Sequence, residues 1–467
     1  MASSLSRTPQ KRIETIRRHL SRVPTTDFTE VVIRPPIVRP PPEFSKDPVP
    51  FLMKTKQKYP DMFIVERSPR NRYVVVCDSE LFEDVLTFEQ VYGPFAPNMS
   101  VNSQIFEIPQ SVLDTHETTI VKKLRKFLLN HCDEIADDIA RRVTQYMENH
   151  MGSEGIMDMR DIGTAVFWPM TEALFGAAAS KENAPHLLKA FDDIDGKFGK
   201  ALKGRRVPEV VAGVRDATKV FEKSVEQAKR GRCPLAPLLE FYDDELLDSD
   251  SAGANLTAKF ATAAWWGGQG NTLPSTVWTF GLLLNDPECK RRVYEEVDRN
   301  IESLPGPDGK FQFDKLAYVT AALKESLRLK TYSIAWRQMR KDATVTGTKT
   351  GKKYLLKQGE LVGIHFCLQH MDEVIYPKPA AFQPTRFLET KPKRGARYTW
   401  APFSAGFHKC SGYPLAMLEI PVVIALMFRE YELELLDPLP GMNYKSAFGV
   451  VGPDDSPVRV RYRRRRR

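Results

Sequence analysis

The stretch "TAKFATAAWWGGQGNTLPSTVWTFGLLLN", residues 257–285, constrains the fold more than any other. It reads as one long helix with apolar residues on most sides and a polar, Gly-rich centre. A helix that is apolar all round is buried, so other elements must enclose it. The flanking sequence supplies them, because residues 111–300 read as almost wholly helical. "HETTIVKKLRKFLLNHCDEIADDIARRVTQYM" keeps a 3.6-residue apolar period over many turns, and "AYVTAALKESLRLK" is a further helix. Glycines and Pro274 inside the long helix are costly. They predict a local distortion at its centre, where a ligand pocket would form.

The β content is small. "MFIVER" and "RYVVVC" read as two early strands, "ATVTGT" and "ELVGIHF" as two later ones, and "PVRVRYR" as a terminal strand. "FLMKTKQKY" reads as a short helix, and "YPLAMLEIPVVIALMF" as the last helix. "RPPIVRPPP", residues 34–42, reads as a stiff extended linker. The folded domain is therefore expected over 35–462, with a basic polar extension at 1–34 and an Arg tail at 463–467. No internal repeat is visible.

Net charge is +9, and Arg463 to Arg467 supply five of those charges. Such a tail could contact nucleic acid or anionic lipid. The simpler reading is a solvated terminus, and a nucleic-acid partner is not expected. No apolar run reaches membrane-spanning length. The start, "MASSLSRTPQKRIETIRRHLSR", lacks a signal-peptide core. Its Ile13, Ile16 and Leu20 fall at helical spacing, which suits a transit peptide, a membrane-surface helix or a solvated helix. The six cysteines are scattered without a CxxC pair, which argues against a disulfide framework or a Cys-based zinc site.

One cysteine stands apart. In "FSAGFHKCSG", residues 403–412, Gly406 and Gly412 flank Cys410 just ahead of the last helix. Glycines allow tight turns and close approach to a flat ligand. Backbone N–H groups at a helix start would lower the thiol pKa. Such a thiolate can be a nucleophile or an iron ligand. His365, His370 and His408 could partner a nucleophile, but no protease-like motif accompanies them. Upstream, Glu325 and Arg328 in "LKESLRL" share a helix face. Their apolar flanks make the pair semi-buried and in need of another partner, for which Arg386 in "FQPTRF" is the candidate.

E-x-x-R, then F-x-P-x-R-F, then F-x-x-G-x-x-x-C-x-G, in that order, resembles the cytochrome P450 superfamily over about residues 35–462. The resemblance implies a mainly α fold with a small β portion. One heme b would lie between the long central helix and the cysteine loop. Cys410 would be its proximal thiolate ligand, Phe403 would pack beside the loop, and Glu325, Arg328 and Arg386 would form the buried triad that fixes it. Arg337 matches the family's propionate-binding arginine. His408 takes the usual Arg position two before the cysteine; a raised pKa next to an anion would help it serve. The usual Trp-x-x-x-Arg is absent, leaving His116 and Arg125 as further candidates.

On the distal side, family hydroxylases carry Gly, any residue, an acid, then Thr. Here "GGQGNTLPSTVW" puts Gly270 at the acid position and Asn271 at the Thr position, followed by Thr272. Gln269, Asn271, Pro274 and Trp278 resemble the branch that holds prostacyclin synthase and the sterol hydroxylases of bile-acid synthesis. That implies a monooxygenase hydroxylating an apolar, sterol- or terpenoid-like molecule with O2 and electrons from an NADPH–cytochrome P450 reductase or similar donor. The alternatives are a heme-thiolate isomerase or dehydratase needing neither, and a heme-binding protein without turnover. The implied protein is a monomer in the cytosol or at the endoplasmic-reticulum surface, with peripheral membrane contact. Members of the branch usually begin with a membrane-spanning helix, whereas polar residues precede the Pro-rich stretch here.

Overall fold

A computed structural model describes residues 31–94, 101–176, 184–201, 205–231, 236–246, 253–300, 311–388, 398–444 and 449–466. The N-terminal helix candidates and Cys233 lie outside these, as does the side chain of His116. The helices are α1 (Val49–Lys58), α2 (Phe82–Thr87), α3 (Gln110–His150), α4 (Asp161–Phe175), α5 (Ala184–Asp195), α6 (Phe198–Ala201), α7 (Pro208–Lys229), α8 (Pro237–Glu245), α9 (Ala254–Asn285), α10 (Pro287–Arg299), α11 (Ala317–Lys330), α12 (Cys367–His370) and α13 (Tyr413–Glu430). The strands are β1 (Val32–Ile33), β2 (Ile37–Val38), β3 (Met62–Ser68), β4 (Asn71–Val76), β5 (Tyr92–Pro94), β6 (Glu154–Asp158), β7 (Thr331–Tyr332), β8 (Ile334–Met339), β9 (Ala343–Thr346), β10 (Lys353–Leu356), β11 (Leu361–His365), β12 (Tyr431–Leu435), β13 (Gly449–Val450) and β14 (Arg459–Arg464).

Helix α9 is the buried element that the sequence demands. Trp265, Trp278 and Phe280 on it are fully buried, and α4, α7, α8, α11 and α13 pack around it. Its polar residues are bonded outward. Trp265 Nε1 donates to Thr171 Oγ1 (3.1 Å), Gln269 Nε2 to the Phe167 carbonyl (3.1 Å), and Trp278 Nε1 to the Val451 carbonyl (2.6 Å). A buried polar group without such a partner would cost about 1–3 kcal/mol. The expected distortion at Pro274 does not interrupt the helix, which runs unbroken from Ala254 to Asn285. Hydroxyls that bond back one turn support this stretch, from Ser275 to the Asn271 carbonyl (2.6 Å) and from Thr276 to the Thr272 carbonyl (2.9 Å).

The largest sheet has the order β2-β3-β4-β11-β8-β5, and smaller sheets join β1-β10-β9, β12-β14-β6 and β13-β7. The Pro-rich stretch is part of this framework, since β2 within it pairs in parallel with β3. The Arg tail also differs from a solvated terminus. Arg463 and Arg464 lie in β14 opposite Glu432 and Tyr431, and Arg465 pairs with Asp298 at 2.7 Å. Opposite charges across a ladder favour continued pairing, so the strand outlasts the domain boundary expected at 462. Among the described residues no helix is long and apolar enough to cross a membrane.

Candidate active site

Cys410 lies between a short 3-10 turn (Gly406–His408) and α13. The loop closes on itself, with Cys410 N–H donating to the Phe403 carbonyl (2.9 Å). Ser404 and Gly406 both take positive φ, 59° and 74°. Gly406 is required twice over, because a Cβ there would come within 2.9 Å of Leu86 on α2. Phe403 stacks edge-on to Tyr413 at 5.0 Å.

The thiol departs from the sequence expectation in one respect. The backbone N–H groups of Gly412 and Tyr413, with Arg125 and Lys409, do favour the thiolate. Burial outweighs them, and the net effect raises the thiol pKa. Yet Cys410 is solvent-accessible. The residue is thus open to solvent while dense protein surrounds its sulfur. Among the described residues no cluster of His, Cys, Asp and Glu could hold a bare metal ion. A lone thiolate would suit an iron whose remaining ligands a macrocycle supplies.

Cations gather beside this loop. Arg125 donates to the Lys409 carbonyl and, at 3.4 Å, to that of Phe407. Arg337 on β8 is buried and donates to the carbonyls of Trp336 (2.8 Å) and Leu86 (3.2 Å). The Nε–H of each arginine is buried without a protein acceptor. His408 Nε2 lies 3.4 Å from Glu89 Oε1. Its pKa is lowered, first by burial and then by Arg337, despite Glu89. The expected raised value is therefore corrected: burial, with Arg337 and Arg125, outweighs Glu89. Orphaned donors on two arginines beside an accessible thiol fit a flat dianionic ligand such as heme b.

The triad is more deeply set than the sequence suggests. Glu325 and Arg328 are buried entirely. Glu325 accepts from Arg328 Nε (2.7 Å) and Nη2 (2.8 Å), Arg386 Nε (3.2 Å) and Gln383 N (3.1 Å). Arg328 Nη1 also donates to the His370 carbonyl (2.6 Å). His370 carries the connection onward, since its Nε2 accepts from Ala401 N–H (3.1 Å). Burial, then Arg328, lowers the His370 pKa to about 3, which keeps the ring neutral and able to accept. Trp400 Nε1 donates to the Lys324 carbonyl (3.0 Å). The segment leading into the cysteine loop thus hangs from α11 and α12.

On α9, successive side chains are about 100° apart, so Gly270, Asn271 and Thr272 face three different neighbours. Asn271 Oδ1 accepts from Val450 N–H (2.9 Å). Thr272 Oγ1 donates to Glu419 Oε1 on α13 (3.3 Å). Gly270 faces the carboxyl of Asp195, at the end of α5. Sequence reasoning missed Glu419, although it is the one charged residue in "YPLAMLEIPVVIALMF". Burial raises its pKa to about 7 against the Thr272 hydrogen bond, and its Oε2 has no protein partner.

A family model for cytochrome P450 matches residues 36–454. The chain belongs to the cytochrome P450 family. As a member it is an oxidoreductase, a monooxygenase that uses heme b and NADPH-derived electrons passed through a reductase. It is similar to the human (Homo sapiens) 24-hydroxycholesterol 7-alpha-hydroxylase, at 23% identity over 91% of each chain. Pig (Sus scrofa) cytochrome P450 7A1 is 26% identical over 62% of this chain and 61% of its own. The human 7-alpha-hydroxycholest-4-en-3-one 12-alpha-hydroxylase is 29% identical over 62% of each. These relatives belong to the sterol-hydroxylase branch that the distal motif resembles.

Proposed function

We propose that this P450 hydroxylates an apolar, sterol-like small molecule. Cys410 would hold heme iron as a thiolate, and Arg337, Arg125 and His408 would meet the propionates. Phe403 would pack beside the loop, and Glu325, Arg328 and Arg386 would hold it through His370 and Trp400. The observation that carries the reading is the accessible Cys410 thiol, set in dense protein with orphaned arginine donors at its side. The similarity to sterol hydroxylases supports the substrate class.

When bound, heme supplies oxygen activation, and a thiolate ligand favours O–O cleavage. The residues manage protons and fit. Glu419 keeps a proton near neutrality, and Thr272 is hydrogen-bonded to it. Asn271 ties α9 to β13 and fixes the orientation of that helix. Gly270 leaves room for the Asp195 carboxyl beside α9. A monomer is proposed, fed by an NADPH–cytochrome P450 reductase at the endoplasmic-reticulum surface.

The test is product analysis with cholesterol, 24-hydroxycholesterol and 7α-hydroxycholest-4-en-3-one, with and without reductase, NADPH and O2. A hydroxylated sterol that forms only in the complete mixture supports the reading. Turnover without reductase or O2 overturns it in favour of an isomerase.

A further inference from the structure

We propose that Asp195 is the distal proton donor of this enzyme, filling from helix α5 the place of the acid that α9 lacks at Gly270. The inference rests on the monooxygenase reading. A Cβ built on Gly270 would lie 3.4 Å from Asp195 Oδ1, with Trp266 the next neighbour at 3.9 Å. The carboxyl therefore abuts the backbone where an acidic side chain would otherwise begin. The same face of α9 is open at Gly267, where a Cβ would meet nothing within 4 Å. Asp195 is half-buried, so its carboxyl reaches this face without being sealed inside the protein.

The carboxyl is held in place. The Trp266 indole flanks the same glycine as the carboxyl and favours its charged form, and the indole stacks on Phe198 at 3.9 Å. Pro274 has no N–H, so the Gly270 carbonyl loses its helical donor and adds an acceptor in the same turn. Asp195 is also the last residue of α5, where the helix dipole disfavours negative charge. Burial is the main cause that lifts its pKa, to about 6, with Trp266 opposing and Asp192 adding to it. Of the charged groups, Asp192 on the same helix acts on it; from α9 the facing group is the uncharged Trp266. A general acid works best with a pKa near the operating pH.

The chemistry balances. Hydroxylation breaks one C–H bond and the O–O bond of dioxygen, forming one C–OH and one water. It takes two electrons from NADPH through the reductase and two protons from solvent. Asp195 passes a proton to the oxygen that leaves as water. Its carboxylate regains one from solvent past Asp192, which is exposed.

The test variant is Asp195→Asn, which keeps the shape beside Trp266 but carries no acidic proton. In the holoenzyme the carbon-monoxide spectrum and melting temperature should match wild type. In an infrared pH titration, the protonated-carboxyl signal that titrates near pH 6 in wild type should be absent. With reductase, NADPH and O2, the ratio of hydrogen peroxide to water formed should rise about tenfold or more, since a positioned acid contributes roughly 10²–10⁴-fold. Adding Gly270→Asp should lower that ratio again.

If wild type is a coupled monooxygenase and the variant's peroxide ratio is unchanged, the assignment of Asp195 falls alone. Weaker binding of 24-hydroxycholesterol with coupling intact also overturns it, making Asp195 a substrate anchor. Wild-type turnover without O2 overturns both this inference and the proposed function.

Discussion

Glu325→Ala attacks the mounting of the cysteine loop without touching the loop itself. The carboxylate accepts four hydrogen bonds and is fully buried. Truncation leaves the Arg328 guanidinium, also fully buried, with the His370 carbonyl at 2.6 Å, the Ala381 carbonyl at 3.4 Å and the Tyr376 ring face, and no anion. Breaking a buried pair from one side costs about 3–5 kcal/mol. Arg386 adds less, because it is partly exposed and keeps the Pro377 and Lys378 carbonyls. Against a total stability of about 5–15 kcal/mol, the loss is large. It acts where Ala401 and Trp400 suspend the loop. The variant should therefore unfold at lower urea and purify with a several-fold lower heme-to-protein ratio. Glu325→Gln, which keeps an acceptor but no charge, should fall between. Full heme occupancy in Glu325→Ala, with unfolding within about 1 kcal/mol of wild type, would refute the reasoning.

Glu419 predicts a pH effect. Its pKa is raised from 4.5 to about 7 by burial, so the folded state holds the proton more tightly than the unfolded chain. Its contribution to stability is full below 4.5 and is lost as pH rises through about 7, a span of about 3 kcal/mol. Glu419→Gln should flatten the slope of urea stability with pH across that window; an unchanged slope contradicts it. His408→Arg should keep or raise the heme-to-protein ratio, because arginine offers a charged fork where neutral histidine offers one donor. A marked loss would give His408 another task.

Local patterns carried much of the fold. α9 was legible because apolar residues surround it, and "AYVTAALKESLRLK" coincides with α11 residue for residue. The triad was legible as three residue types in order, but its depth was not, since burial depends on what packs over a helix face. β12 and β6 went unread because each is a short strand whose pairing with β14 is non-local. Asp195 and Glu419 were missed for a related reason. A single acid carries no spacing, and its environment comes from helices far away in the chain. The pKa of Cys410 needed competing magnitudes, and burial proved the larger.

The carbon-monoxide difference spectrum of the reduced protein, wild type against Cys410→Ser, tests the central claim most directly. Ligation by the Cys410 thiolate predicts the strongly red-shifted band of a thiolate-bound heme in wild type and its loss in the variant. An unchanged spectrum in Cys410→Ser would contradict the account.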